Sequence, residues 1–545
     1  MQAQNTIHKT LKIEGGGKEM KKFIVLGLIG LMVMVFSATV YAQPKLEFRA
    51  SGAFQAESFW YRNITSGATG DMITTRWGGG GIAYAPGVPA AGFRPESPWT
   101  NPVDSGAWDR TNSYMEYRGT LRFDAIMGKE LSGTIIFELD SSRWGSPAGD
   151  RGNLGFWTAD RAGVEVKNLY MDFALPYFGI PVPMQVRVGI QPLGHRPHMF
   201  MITDGTGITG SMKIDPVTIG LQWAKAVEGR DASADDVDVY GMFVNAKIGT
   251  ITPGFFAFNW NMNQYPLQTS GANYVINQSP NQANFWWLGA YLDGKLGPVN
   301  LQFDFVYDYG KVEASGNTAI PVGADRKVKY RGFATQLTVD FPWEKFNFGL
   351  VGMYASGADL RKTSRGGLPG QAVADAWPAA TSKVGSYVIP PGSEEWAAWG
   401  QSMILSNNYI TATALPLGMW PSLASYPLQA NRGAIGGTWM AKLYAKAKIT
   451  PWYMVTLQGL YIGDTTKNGN TLGDAISASG LRDDSTIGWE LDLIQDIQIY
   501  KNLKWSIGAG ILFAGDALDQ RVTAAPFNES PKNPWIIATK LRYDF

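Results

Sequence analysis

The 545-residue chain sets 47 Lys and Arg against 46 Asp and Glu, a formal net charge of +1, and contains no cysteine. That balance leaves no basic footprint for nucleic acid, and the absence of thiols excludes disulfide scaffolds, thiolate metal sites and cysteine nucleophiles. Hydrophobic content is an ordinary 45%, while 64 glycines and 13% aromatics suit a protein of turns and interface girdles.

Two segments at the start of the chain have a processing character. Residues 1–19 fit no targeting pattern, and Glu14-Gly-Gly-Gly-Lys-Glu19 is what a purine-rich ribosome-binding site gives when read as codons, so translation is expected to start at Met20. Residues 20–42 have the build of a secretory signal peptide. Lys21 and Lys22 precede an almost wholly apolar run from Phe23 to Phe36, and the small residues Val40 and Ala42 lie three and one before the expected cut. The run falls short of the roughly 20 residues a membrane-crossing helix needs, and nothing apolar after Ala42 is long enough for one. Residues 43–545 are expected to form a single domain, since they show no helical periodicity of useful length and no linker.

Alternation with a period of two runs through that domain, one face apolar and one charged. From Lys45 to about Arg62, Leu46, Phe48, Ala50, Phe54 and Trp60 alternate with Glu47, Arg49, Ser51, Gln55 and Glu57. From Tyr114 to Met127, Met115, Tyr117, Leu121 and Phe123 oppose Glu116, Arg118, Thr120, Arg122 and Asp124. After Gly128-Lys-Glu130, Leu131, Ile135, Phe137 and Leu139 oppose Glu138. The same pattern predicts strands near 162–175, 182–191, 207–214, 217–226, 236–248, 251–262, 284–296, 299–310, 327–341, 346–356, 437–449, 452–463, 485–500, 503–515 and 533–545. The total is about eighteen, with about sixteen as the alternative because Gly and Pro blur the alternation over 207–226 and 236–262.

The connections alternate in length. Gly128-Lys-Glu130, 176–181, Asp215-Pro216, Gly297-Pro298, 342–345, Thr450-Pro451 and Lys501-Asn502 are tight, whereas 63–112, 141–160, 263–283, 311–326, 357–436, 464–484 and 516–532 are long. Short turns on one rim and long loops on the other are the mark of outer-membrane barrels.

The last strand points the same way. Trp535, Ile537, Thr539, Leu541, Tyr543 and Phe545 face one side, and Ala538, Lys540, Arg542 and Asp544 the other. This ending resembles the C-terminal strand of Gram-negative outer-membrane β-barrels, in which an aromatic pattern closing on Phe is read by the barrel assembly machinery. By that resemblance Tyr543 and Phe545 form the assembly signal. Tyr170 to Pro176 followed by Val186 to Gly194 is similar to a strand–turn–strand unit of bacterial porins. Together with the alternation over 45–545, these segments give a resemblance to the Gram-negative outer-membrane porin class that covers the whole mature chain. It implies an all-β transmembrane antiparallel barrel in the cell outer membrane, surrounded by outer-membrane lipid, and for many such proteins a homotrimer. It specifies no substrate. A siderophore-type transporter needs about 22 strands and a plug, more chain than this one has.

A barrel of about 16 to 18 strands is too wide for its own side chains to fill and encloses an aqueous channel. The candidates for its lining are Arg49, Arg118, Arg122, Asp304, Asp308, Lys442, Lys446, Lys448, Glu490, Asp492, Lys540 and Arg542. Charges two residues apart on one face are tolerated where water reaches them. Lys442, Lys446 and Lys448 form the clearest basic ladder, while Arg49, Arg118 and Arg122 face Glu47, Glu57 and Glu116 as expected cross-strand ion pairs. Singly each is an ordinary solvated wall residue; collectively, rings of charge set ion selectivity, and here the near balance of acids and bases leaves its sign open. The connections 63–112 and 357–436, the second carrying Trp377, Trp396, Trp399 and Trp420, either fold inward to narrow the pore or form an external cap or subunit contact.

The function expected from these features is passive diffusion of small hydrophilic solutes or ions, with neither catalysis nor a cofactor. The alternative is an interaction barrel, sheathing a periplasmic redox partner or displaying surface loops. His195 and His198 lie in Leu193-Gly-His-Arg-Pro-His198 without a Gly-x-Ser-x-Gly nucleophile elbow, and Pro197 disfavours a metal set with Asp204. Asp231 to Asp238 and Asp464 to Gly469 lack the distal bidentate acid and flanking helices of a calcium loop. A solvated loop and an Asn-Gly turn explain them better.

Overall fold

Alternation of this kind buries nothing unless the two faces meet different surroundings, and a closed barrel supplies them. The computed structural model is a closed antiparallel barrel of 18 strands. It describes residues 45–62, 111–144, 155, 163–175, 184–228, 236–265, 281–314, 327–357, 359, 383–390, 402–404, 436–471, 475–477, 480–521, 528–530 and 532–545. The segments 1–19 and 20–42, nearly all of 63–112, and Trp377, Trp396, Trp399 and Trp420 lie outside the described residues.

In chain order the wall comprises β1 (Leu46–Arg62), β2 (Thr111–Met127), β3 (Leu131–Arg143), β4 (Glu165–Leu175), β5 (Met184–His195), β6 (Met201–Ile214), β7 (Val217–Val227), β8 (Val237–Ala246) and β9 (Ile251–Tyr265). It continues through β10 (Asn281–Leu296), β11 (Val299–Ala314), β12 (Lys327–Trp343), β13 (Phe346–Ala355), β14 (Thr438–Thr450), β15 (Tyr453–Asp464), β16 (Thr486–Tyr500), β17 (Leu503–Ala514) and β18 (Trp535–Asp544). Each strand pairs antiparallel with its chain neighbour, as in Leu46↔Met127 to Arg62↔Thr111. The ring closes where β18 pairs with β1, from Ala53↔Asp544 to Arg62↔Trp535. The ambiguous stretches 207–226 and 236–262 are strands β6 to β9, which excludes the count of sixteen.

The two faces separate as the alternation predicts. Phe48, Leu443 and Phe255 stand outward and exposed, whereas Phe258, Asp308 and Glu490 point inward and are buried. Aromatic residues gather near both rims of the outer face. Trp439, Tyr461 and Trp489 pack in a row at the long-loop rim, with centroids 5.1 and 4.5 Å apart. Trp343 and Phe346 stack at 6.1 Å beside a tight turn. Such girdles mark the boundaries of a lipid bilayer. The tight turns depend on local backbone: Gly297 takes φ 61 in the Gly297-Pro298 connection, a left-handed conformation that glycine adopts without penalty.

One hairpin leaves the wall. β5 pairs with β4 only as far as Leu169↔Ile190, and β6 pairs with β7 only as far as Thr206↔Lys225. Beyond those points β5 and β6 continue to pair with each other, up to His195↔Met201, and bend into the lumen. The sequence-predicted limits 182–191 and 207–214 fall where the hairpin departs. Two pieces of the connection between β13 and β14 also lie inside: Lys383–Val384 adds a short parallel pairing to Lys329 and Tyr330 of β12, and residues 402–404 lie against β16.

Candidate functional site

The tip of the β5–β6 hairpin crosses to the β8–β11 wall. His195 packs among Phe243, Phe256, Phe258 and Tyr291, with centroid separations of 4.7 to 5.8 Å. Phe200 packs on Phe256, Phe258 and Trp287, and Met199 and Phe200 are fully buried. Burying side chains of this size contributes about 1.5–3 kcal/mol each to holding the hairpin inside.

Arg196 supplies its polar anchor. Its Nη1 donates to Asp293 at 2.6 Å, its Nη2 donates to Asp304 at 2.7 Å, and its Nε also donates to Asp304. His198 Nε2 lies 2.6 Å from Asp304 Oδ2, the oxygen that Arg196 Nη2 also reaches, and the guanidinium stands 4.4 Å above the Tyr291 ring. A guanidinium does not lose its proton at ordinary pH, and two carboxylates share this one. The guanidinium is therefore a permanent cation that neutralises a carboxylate which could not otherwise be buried.

The long connection 357–436 touches the lumen at two described places. At the first, the Trp287 indole donates to the Val388 carbonyl at 2.8 Å, and the Tyr387 hydroxyl donates to the Met199 carbonyl at 2.8 Å. This joins the connection to the hairpin tip. Asp308 lies beneath it, beside Gly332 and the Ser386 carbonyl. At the second, the amides of Met403 and Ile404 donate to one oxygen of Glu490 at 2.8 and 2.6 Å, and Met403 also donates to Asp492 at 3.2 Å. Of the two inferences from sequence, inward folding holds for these described pieces.

The sequence-predicted lining residues divide into two groups. All face inward, but Asp304, Asp308, Lys442, Glu490 and Asp492 are almost wholly buried, on the walls that the hairpin and the connection cover. The expectation that water compensates these charges is corrected: protein donors do so, through Arg196 and His198 at Asp304 and through backbone amides at Glu490 and Asp492. The basic ladder is likewise uneven. Lys442 is buried with Nζ 3.4 Å from Gln458, Lys446 is half-buried 4.8 Å from the Tyr444 ring, and Lys448 is exposed.

The second group, on β1, β2 and β18 with Lys446 and Lys448 of β14, is mixed: Arg118 and Lys540 are only 17% and 16% exposed, and the open charges lie toward the short-turn ends of β17 to β5. Side chains of Arg122, Arg187, Arg542 and Lys504 are 43%, 35%, 44% and 47% exposed. For Arg49 and Arg122 the expected pairing across strands is corrected. Arg49 binds Glu47 at 2.8 Å, Arg122 binds Asp124 at 2.8 Å, and Arg542 binds Asp544 at 2.8 Å, each two residues along its own strand. Residues i and i+2 stand roughly 6.7 Å apart on one face, a span an arginine covers without crossing the sheet. Arg118 does reach across, to Glu138 at 2.6 Å, and Lys540 stands 3.8 Å from Glu57.

Arg196, Asp293, Lys167 and Arg187 are lumen residues beyond those expected from the sequence. Lys167 bridges Glu138 at 2.9 Å and Asp204 at 3.2 Å, and Arg187 binds Asp172 at 2.7 Å over the Tyr170 ring. The broken alternation at Leu193-Gly-His-Arg-Pro-His198 was the available signal for the hairpin tip, since a wall strand would not carry Pro and three basic or titratable groups in succession. Among the described residues no group of three or more acids and histidines is arranged to hold a metal ion.

A closed ring of strands with an apolar, girdled exterior pairs its wall amides strand to strand and belongs in a bilayer; even-stranded barrels of this build span the bacterial outer membrane. The fold is that of an outer-membrane β-barrel. Its sequence matches no protein-family model and no curated relative. Among solved structures it is similar to Pseudomonas aeruginosa OpdQ and to OpdK determined with vanillate, each with a TM-score of 0.44 and 9% identity, covering 91% of this chain and 98% of the other. P. aeruginosa OpdR is similar with a TM-score of 0.42 and 10% identity, covering 91% of this chain and 96% of the other. At that level of likeness the barrel's own residues must carry the functional argument.

Proposed function

We propose that the barrel is a passive channel for small hydrophilic solutes or ions, and that these pass along the charged wall from β17 to β5. The observation that carries this reading is the exposure kept by the charges toward the short-turn ends of β17 to β5. Arg122, Arg187, Arg542 and Lys504 keep a third to a half of their side chains exposed, while Asp308, Glu490 and Asp492 are sealed. A charged lining that stays hydrated lets a solute exchange water for protein contacts without a large barrier, and its paired acids and bases prevent tight retention. The sheath alternative finds less support, because the chain's own hairpin and connection occupy the lumen that a partner would need.

The test is purified barrel in planar lipid bilayers. Discrete, ohmic conductance steps are expected. Electrically silent barrel that retains heat-modifiable folding on gels refutes the channel.

A further inference from the structure

Glu490 and Asp492 sit two residues apart on the lumen face of β16, both fully buried. Two like charges so placed are costly to bury, and a wall strand gains nothing by placing them side by side unless donors converge on them. The donors come from two directions. Met403 and Ile404 present successive backbone N–H groups to Glu490 Oε1, at 2.8 and 2.6 Å. Met403 N–H also reaches Asp492 Oδ2 at 3.2 Å, where Gln458 Nε2 from β15 donates at 2.8 Å. Gln458 is in turn approached by Lys442 Nζ from β14 at 3.4 Å. Successive amides aimed at one anion make a concavity that grips a carboxylate irrespective of side-chain identity. The wall here holds main chain, so the contact specifies the position of residues 402–404 and not a sequence-matched packing.

From this geometry we infer that Glu490 and Asp492 are positioning residues: they clasp residues 402–404 to the lumen wall and thereby set the width of the permeation path. The inference rests on the channel reading for its consequence, pore width, but not for the clasp itself. Gly510 of β17 belongs to the same fit. A Cβ placed there would stand 2.4 Å from Asp492 Oδ1 and 3.0 Å from the Met403 Cβ, so even a methyl group pries at the clasp from its back.

Two measurements separate the clasp from its consequence. Because the chain has no cysteine, Met403→Cys offers a single thiol whose reaction with a membrane-impermeant maleimide reports release of the segment. Labelling is expected to be slow in the otherwise native barrel and about tenfold faster or more once Glu490→Gln and Asp492→Asn are added, the ratio that follows from losing a charge-assisted hydrogen bond. Glu490→Gln with Asp492→Asn, and independently Gly510→Ala, are each expected to raise single-channel conductance in barrel that remains heat-modifiable. Glu490→Asp, which keeps the charge, is expected to restore slow labelling. Equal labelling rates with and without the acid pair overturn the clasp, as does fast labelling in the native background. Accelerated labelling with unchanged conductance overturns its control of pore width. An electrically silent native barrel defeats the channel reading alone, since the labelling ratio still decides the clasp.

Discussion

Phe545 closes the barrel on Gly52. The N–H of Gly52 donates to the Phe545 carbonyl at 2.9 Å, the Phe545 N–H donates back at 3.0 Å, and the terminal ring lies where a side chain at position 52 would be. A Cβ on Gly52 would meet the ring at 2.7 Å and the Thr120 carbonyl at 2.4 Å. Phe54 and Tyr543 flank the ring at 5.2 and 5.5 Å. Deleting Phe545 therefore removes two seam hydrogen bonds and an aromatic stack, in addition to the recognition signal that the resemblance assigns to it. Slow insertion and an accumulated periplasmic form are expected, and an unheated gel should show a diminished folded band. Gly52→Val is expected to reproduce the weakened seam while leaving the terminal residue intact.

The assigned faces predict an asymmetry between neighbours. Leu121 and Leu443 face lipid, whereas Thr120 faces inward. Leu121→Arg or Leu443→Arg is expected to destabilise the barrel by roughly 2–4 kcal/mol near the midplane, and Thr120→Arg by clearly less. Denaturant titration of barrel refolded in vesicles measures the difference, and equal costs would reverse the faces.

Removing the Arg196 guanidinium leaves Asp304 buried beside His198 alone. Arg196→Met is expected to cost about 3–5 kcal/mol, the usual penalty for stranding one partner of a buried pair. Adding Asp304→Asn should recover part of it, because the unpaired charge is then gone. The comparison is a double-mutant cycle read by denaturant midpoints; strict additivity would show that the two side chains do not act together.

Ion selectivity should follow exposure and not the number of charges on a strand. Arg122→Gln with Arg187→Gln removes two half-exposed cations from the open wall and should shift reversal potentials in a salt gradient toward cation preference. Lys442→Gln, at a site sealed by protein, should alter selectivity little. A larger shift from Lys442 than from the arginine pair would place the path along the other wall.

The strands were legible because lipid and lumen impose opposite chemistry on alternate residues, a constraint that is local and repeats at every strand. Leu46 to Arg62 announces its two faces without reference to any other part of the chain. What covers the inner face is not local. Asp304 meets Arg196 from 108 residues earlier, and Glu490 meets Met403 from 87 residues earlier. Neither acid differs in its strand context from Asp124, which the open wall leaves partly exposed. The arginine partners were missed for a simpler reason: face alternation shows which charges share a side, but the reach of the side chain decides whether it pairs along the strand, as Arg122 does, or across it, as Arg118 does.

The inward turn of the β5–β6 hairpin also governs how this barrel comes apart. β4 and β5 are joined only from Leu169↔Ile190 to Leu175↔Met184, while β1 and β2 are joined along their whole length. A cylinder tears along its shortest stitching, so a pull on the chain should part the β4–β5 seam first. The segment that narrows the lumen thus also fixes where the wall is mechanically weakest.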